Sequence, residues 1–305
     1  MAVAVRSFFA HGKLLLTSEY VVLDGVPALA VPTVLGQRLE ATEAAGSSFL
    51  HWMAEDSDGR VWLDGILERT EGGWKASDEA LEPVAHLLNA SEKISQRTLP
   101  GGQVRTRLEF PSNYGWGSSS TLISLVAQWQ EIDALSLHFA TQNGSGYDAV
   151  CATAAGPLWY RKTADQTADW ESTSLAHWPH DSLYLVHLGH KQQSAADVVR
   201  YRALAPSSSD LDGVEHAARA LFEATSFDTW GHAARVHETR MAALLGRTPV
   251  SEGALKGYPH ASKSLGAWGG DFVLVQVADD TDLQWFKDQG FSTVLPWKAS
   301  VVLGA

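Results

Sequence analysis

The stretch that most constrains this chain runs from residue 111 to residue 130, Pro-Ser-Asn-Tyr-Gly-Trp-Gly-Ser-Ser-Ser-Thr-Leu-Ile-Ser-Leu-Val-Ala-Gln-Trp-Gln. It begins as a loop punctuated by Pro111, Gly115 and Gly117 and continues as a helix, because Leu122, Leu125, Val126 and Trp129 recur at helical spacing. A glycine loop feeding a helix exposes unpaired backbone N–H groups at the positive end of the helix dipole, and that combination binds phosphate. Glycine lets a ligand approach the backbone where a Cβ would intrude. Ser118, Ser119 and Ser120 can cap the helix, bond a phosphate oxygen or ligate magnesium. The same pattern also describes an ordinary capped helix. It is not a Walker A loop, since no lysine follows Gly117.

A chain of 305 residues can bury a sizeable core, and two domains are expected. The formal net charge of −12 argues against nucleic acid as a partner, while leaving room for an anionic small-molecule substrate in a locally basic pocket. The single cysteine, Cys151, excludes an internal disulfide and fits a reducing compartment. No apolar run has the length of a membrane span, and the N-terminus reads as a strand, not a signal peptide. A cytoplasmic location is expected, with no membrane partner. The sequence leaves the oligomeric state open.

Residues 3–9 read as a strand leading to Ala10-His11-Gly12-Lys13. Lys13 and Glu19 are charges inside an apolar stretch, each of which could simply face solvent. Residues 36–67 read as antiparallel strands, 78–96 as a helix with Leu81, Val84, Ala85, Leu88 and Ile94 on one face, and 103–110 as a strand. The central loop and its helix follow, then a short helix near 133–142. A second glycine turn, Asn143-Gly144-Ser145-Gly146-Tyr147-Asp148, carries an acid at its tip that could be a helix cap or a catalytic group. Residues 156–161 read as a strand and 163–173 as a linker, which places a domain boundary at 165/166. Beyond it come a strand at 183–188, helices from Gly189-His190-Lys191-Gln192-Gln193-Ser194 onward, at 212–225, 228–245 and 251–258, and a third glycine loop, Lys263 to Asp271. A strand at 272–277, a helix near 281–288 and a strand near 291–295 close the chain. The twelve histidines show no metal-ligand spacing.

Three glycine loops beside strands, an early lysine and a central aspartate together resemble the GHMP kinases, the superfamily of galactokinase, homoserine kinase, mevalonate kinase and phosphomevalonate kinase. The first motif of that family is similar to Ala10-His11-Gly12-Lys13-Leu14 through Ser18-Glu19-Tyr20 to Gly25. The phosphate loop is similar to Gly115-Trp116-Gly117-Ser118-Ser119-Ser120. The third motif is similar to Lys263 through Gly266-Ala267-Trp268-Gly269-Gly270-Asp271, and Gly144 to Asp148 resembles the segment of the catalytic aspartate. The four segments occur in the family's order across almost the whole chain.

The resemblance implies an α+β fold: a ribosomal protein S5 domain 2-like N-terminal domain (1–165), a ferredoxin-like C-terminal domain (166–305), and an active site between them. It implies ATP with its phosphates on Gly115, Gly117, Ser118, Ser119 and Ser120, Mg2+ on Ser119, and Asp148 and Lys13 as the catalytic pair. A small-molecule substrate would meet Glu19, Gly266, Ala267, Gly269 and Gly270. Lys191 and Ser194 resemble a phosphomevalonate-kinase loop that reaches the active site, although a routine helix start is an equal reading. Glu19-Tyr20, Gly-Ser-Gly-Tyr-Asp and Gly-Gly-Asp look more like phosphomevalonate kinases than mevalonate kinases.

Departures accompany the resemblance. His11 stands where the family has Pro, Ser18 where it has Gly, and Trp268 where it has Gly. The magnesium-holding glutamate of mevalonate kinases corresponds to Leu137. A diphosphomevalonate decarboxylase-like enzyme and a non-catalytic ligand-binding protein of the same fold are the alternative readings.

Overall fold

The computed structural model describes residues 5–304 apart from 190–193, 267, 269 and 270; the side chains of residues 194–196 also lie outside the description. Two compact units emerge, interleaved along the chain: residues 1–12, 35–112 and 116–153 form one, and residues 13–34, 113–115 and 154–305 the other.

The first unit is a sheet backed by helices. Its strands are β1 (Val5–Leu15, continuing past residue 12), β2 (Ala28–Ala44, entering at residue 35), β3 (Phe49–Glu55), β4 (Val61–Thr70), β5 (Gly73–Ala76) and, after helix α1 (Glu82–Ser95), β6 (Gly101–Leu108). The order is β5-β4-β3-β6-β2, antiparallel except for the β3–β6 pair. Alternation decides the faces. On β2 Leu39 and Ala41 point inward and Arg38 and Glu40 outward, and on β6 Val104 points inward and Arg105 outward. The inward residues meet α1, α2 (Ser118–Gln130), α3 (Ala134–Thr141) and Ala152, just past α4 (Tyr147–Cys151), in one apolar cluster containing Trp52, Leu88, Val126, Trp129 and Leu137. Leu81, Val84, Ala85 and Leu88 are buried as their spacing predicts, whereas Ile94, near the end of α1, is 37% exposed.

The second unit holds the hairpin β7 (Leu158–Ala164) and β8 (Thr167–Ser172), with β7 pairing the start of β2, then β9 (Leu183–His187), α5 (Ser194–Arg202), α6 (Ser208–Phe222), α7 (Phe227–Leu245), β10 (Ser262–Ser264), β11 (Phe272–Gln276), α8 (Asp280–Asp288), β12 (Val294–Pro296) and α9 (Trp297–Ser300). A four-stranded antiparallel sheet runs in the order β10-β11-β9-β12. α6 and α7 both begin with a capping box, at Ser207 and Ser226, in which side chain and backbone satisfy each other's orphan donors.

Two expectations fail. Residues 163–173 are mostly the hairpin arm β8 and its turn, not a linker. Gln166 takes the left-handed conformation at φ 78°, and Thr167 to Ser172 pair back onto β7, so an Asp-Gln turn was hidden in a composition that looked unstructured. Residues 251–258 are a chain of turns, not a helix. Gly253 and Gly257 interrupt the helical preference, Gly257 at φ 93°, and the backbone closes on itself through Leu255 to Val250 and Tyr258 to Leu255.

Candidate active site

In the first unit, Gly117 sits at φ 87° as the N-cap of α2 and has no side chain with which to cap the helix. The amides of Ser118, Ser119 and Ser120 therefore open a 13-residue helix at its positive end. The three hydroxyls differ. Ser120 is buried and its Oγ donates back to the Gly117 carbonyl at 2.8 Å, tightening the turn. Ser118 is half-buried. Ser119 is exposed, and its Oγ accepts from Gln142 Nε2 at 2.5 Å, which leaves its own proton to donate. Thr121 Oγ1 donates to Gln37 Oε1 at 2.6 Å, tying the second turn to β2.

Asp148 lies in the first turn of α4, entered through Gly146 at φ 83°, and is half-buried. The placement of that turn follows from hydroxyl chemistry. Ser124 Oγ lies 2.9 Å from the Ser120 carbonyl and 3.1 Å from the Ala149 carbonyl, so one buried hydroxyl of α2 ties the serine turn to the residue after Asp148. The backbone N–H of His11 adds a bond to the Ala152 carbonyl at 2.8 Å. A proline at position 11 would lack that donor, which gives the departure at His11 a structural reason. Leu137 is completely buried in the apolar cluster, so the side chain at that position is core and supplies no metal ligand.

In the second unit, Lys13 sits half-buried near the end of β1. Gly115, at φ 67°, belongs to this unit, and a Cβ there would fall 2.1 Å from Asp271 Oδ2. The glycine is required by that close approach as well as by its backbone angle. The segment beside it is held by the Asn113 carbonyl against His187 Nε2 at 3.1 Å and by Tyr114 edge-on to Phe272. Gly266 takes φ 55° and its N–H donates to the Leu15 carbonyl at 3.2 Å, so the third glycine loop is bonded to the strand two residues beyond Lys13.

Glu19 does not face solvent: it is completely buried. Lys263 Nζ, equally buried, donates to Glu19 Oε1 at 2.5 Å and to the Ser264 carbonyl at 2.8 Å. The residues on either side of Glu19 both take positive φ, Ser18 at 60° and Tyr20 at 65°. That conformation is strained for non-glycine residues. Ser18 compensates with a 2.6 Å bond from its Oγ to the Pro27 carbonyl. Trp268 is buried among Tyr20, Val21, Val26 and Met241, filling space that a glycine would leave to other groups.

Beneath this pair lies a polar step in α7. His237 Nε2 accepts the Ser18 N–H at 3.3 Å, and Glu238 accepts the Ser264 N–H at 2.9 Å, the Ser264 hydroxyl at 2.8 Å and the Val250 N–H at 3.1 Å. Burial pushes the Glu19 carboxyl up to about 7 against the attraction of Lys263, with Glu238 adding to the rise. Burial and the Lys263 charge hold His237 well below the usual imidazole range. Sequence reading missed His237 and Glu238. The signal was present: they interrupt the buried stripe Trp230, Ala233, Ala234, Met241 at helical spacing.

Of the other expected substrate residues, Lys191, Ala267, Gly269 and Gly270 and the side chain of Ser194 lie outside the described residues.

No family model matches the chain, and no curated protein matches it in sequence. Solved structures do match in shape. Phosphomevalonate kinase of Streptococcus pneumoniae, in complex with phosphomevalonate and AMPPNP, is 15% identical with a TM-score of 0.71, over 95% of this chain and 99% of that one. Mevalonate kinase of Methanococcus jannaschii is 13% identical with a TM-score of 0.69, over 97% and 98%. Galactokinase of Lactococcus lactis, complexed with galactose, is 12% identical with a TM-score of 0.68, over 99% and 94%. The chain has the fold of the GHMP kinases. At these identities the likeness concerns the fold, and the α+β architecture expected from the four motifs is the one observed. Among the described residues, no helix is long and apolar enough to cross a membrane.

Proposed function

We propose that the protein is an ATP-dependent small-molecule kinase acting on a mevalonate-pathway intermediate, phosphomevalonate ahead of mevalonate. The observation that carries this reading is the uncapped N-terminus of α2, with exposed Ser119 on its first turn, bonded through Ser124 to the turn that bears Asp148. The N-cap is a glycine, so phosphate oxygens can reach the amides of Ser118 to Ser120 without displacing a side chain. The solved relatives in shape include a phosphomevalonate kinase holding phosphomevalonate and a nucleotide analogue.

In the reaction, an oxygen of the acceptor attacks the γ-phosphorus of ATP. The bond from that phosphorus to the β–γ bridging oxygen breaks, and ADP leaves with the electron pair. Asp148 takes or holds the acceptor's proton, and Lys13 offsets charge on the transferred phosphoryl. The amides of α2 and the Ser118 and Ser119 hydroxyls orient the nucleotide. The donor set suits magnesium, which prefers hard oxygens and takes most of its ligands from phosphate and water. Ser119 is the side chain that would hold it, and the ion would supply neutralisation of phosphate charge. Gly266 would face the acceptor.

ADP release with magnesium-ATP, measured against mevalonate, phosphomevalonate, diphosphomevalonate, homoserine and galactose, tests the reading. Turnover on phosphomevalonate or mevalonate is expected and selects between the two kinases. Silence on all five with ATP still bound overturns the proposed acceptor class.

A further inference from the structure

The second unit contains a buried charged cluster that the proposed chemistry leaves without a role. Two carboxylates (Glu19 and Glu238), one ammonium (Lys263) and one imidazole (His237) meet with almost no solvent exposure. They join three separate stretches of chain. Lys263 of β10 reaches Glu19 in the turn after β1, His237 of α7 receives the Ser18 amide, and Glu238 of α7 receives the Ser264 amide and hydroxyl. Nearby, the Gly266 amide closes onto the Leu15 carbonyl. Consecutive residues of one helix thus anchor the segment carrying Lys13 and the third glycine loop.

Glu19 is poorly placed to be a ligand. Its Oε1 is committed to Lys263, and its Oε2 is buried with no hydrogen-bond partner among the described residues, 4.0 Å from His237 Nε2. That nitrogen already accepts a backbone proton, so the ring proton sits on Nδ1, which is also buried without a partner among the described residues. With the imidazole neutral, the cluster holds two carboxylates against one ammonium. The groups facing Glu19 are Lys263 from β10 and His237 and Glu238 from α7; its neighbour Tyr20 faces Asp197 of α5 and, across its ring, Arg247.

We propose that Glu19, Lys263, His237 and Glu238 form a buried clasp that fixes the Lys13 end of β1 to the Gly266 loop, with Glu19 and His237 as positioning residues and not substrate ligands. The positioning role rests on the kinase reading; the clasp itself does not. Removing the ammonium leaves two buried carboxylates uncompensated, the costly way to break such a cluster, whereas neutralising Glu19 leaves Lys263 balanced by Glu238.

The test compares the full chain with Lys263→Met, Glu19→Gln and the Glu19→Gln/Lys263→Met pair by residue-resolved amide hydrogen exchange. Lys263→Met is expected to speed exchange at least tenfold at Ser18, Ser264 and Gly266 together while leaving α2 protected, and Glu19→Gln to change these amides less than threefold. If Lys263→Met does not fold, the double variant takes its place, with the same three amides expected to respond together. Exchange that rises at Ser18 or at Gly266 alone overturns the clasp. Where an acceptor is turned over, Lys263→Met, which opens the clasp, is expected to lower kcat, and Glu19→Gln to keep the KM of the acceptor within twofold. A tenfold rise in that KM with unchanged exchange makes Glu19 a ligand and overturns the positioning role. Silence on all acceptors leaves the exchange result standing and counts against the kinase reading alone.

Discussion

The Lys263 ammonium donates to the Glu19 carboxylate at 2.5 Å, and neither side chain has any exposed surface. A charge pair so deep is paid for in desolvation and is fragile when one partner is removed. Lys263→Met is therefore expected to lose about 3–5 kcal/mol of stability in urea unfolding at pH 7.5. Glu19→Gln, which retains the hydrogen bond and balances the cluster, is expected to lose far less. Equal losses for the two would show that Glu238 does not compensate Lys263.

Glu19 and His237 pull the pH dependence in opposite directions. The Glu19 carboxyl is raised from 4.5 to about 7, so the folded state holds a proton that the unfolded state has released between those values. Its contribution is full below 4.5 and declines as pH rises to 7, by about 3 kcal/mol in total. His237 is depressed, so its contribution is present above the ordinary imidazole value of 6.5 and falls away below it. Urea unfolding of wild type and Glu19→Gln from pH 5 to 8.5 separates them. The wild-type minus variant difference is expected to fall toward pH 7 and level off above it; a flat difference would remove Glu19 as the titrating group.

Position 11 tests a departure from the related pattern. His11→Pro deletes the amide that donates to the Ala152 carbonyl beyond α4. A loss of about 1–3 kcal/mol is expected from the unsatisfied carbonyl, with any strain on β1 adding to it. His11→Ala keeps the amide and is expected to fall well short of that loss. Thermal unfolding of the two variants side by side decides.

Ser18 combines a strained angle with a compensating bond. Ser18→Gly relieves φ 60° while losing the hydroxyl bond to Pro27, and is expected to stay within about 1 kcal/mol of wild type. Ser18→Ala loses the bond and keeps the strain, with an expected cost of about 1–3 kcal/mol. Calorimetry that ranks alanine above glycine in stability would contradict this account.

Asp148→Asn is expected to abolish phosphoryl transfer while sparing ATP binding, since the change removes the carboxylate proposed as the base and keeps the shape of the α4 turn. Calorimetric ATP titration and ADP release measured on the same preparation check both halves. Unchanged turnover removes Asp148 from the chemistry.

Local chemistry made much of this protein legible in order along the chain. Gly117 before three serines and an apolar helix, Gly146 before Asp148, and the alternation of β2 and β6 are decided by φ angles, caps and side-chain period, all short-range properties. The GHMP resemblance and the α+β class rested on those features, and the observed fold agrees with them. Short-range reasoning failed where a turn was hidden, at Gln166, and where helical periodicity was cut by glycines, at residues 253 and 257. Tertiary structure alone decided the fates of the charges. Along the chain Glu19 and Lys13 share one description, a charge in an apolar run, yet Glu19 is buried on a lysine 244 positions away. It was likewise silent on Ser124 joining two carbonyls and on Asp271 excluding a side chain at Gly115. Whether a buried charge is tolerated depends on which distant groups desolvate with it, and only the folded chain brings those groups within a few ångströms.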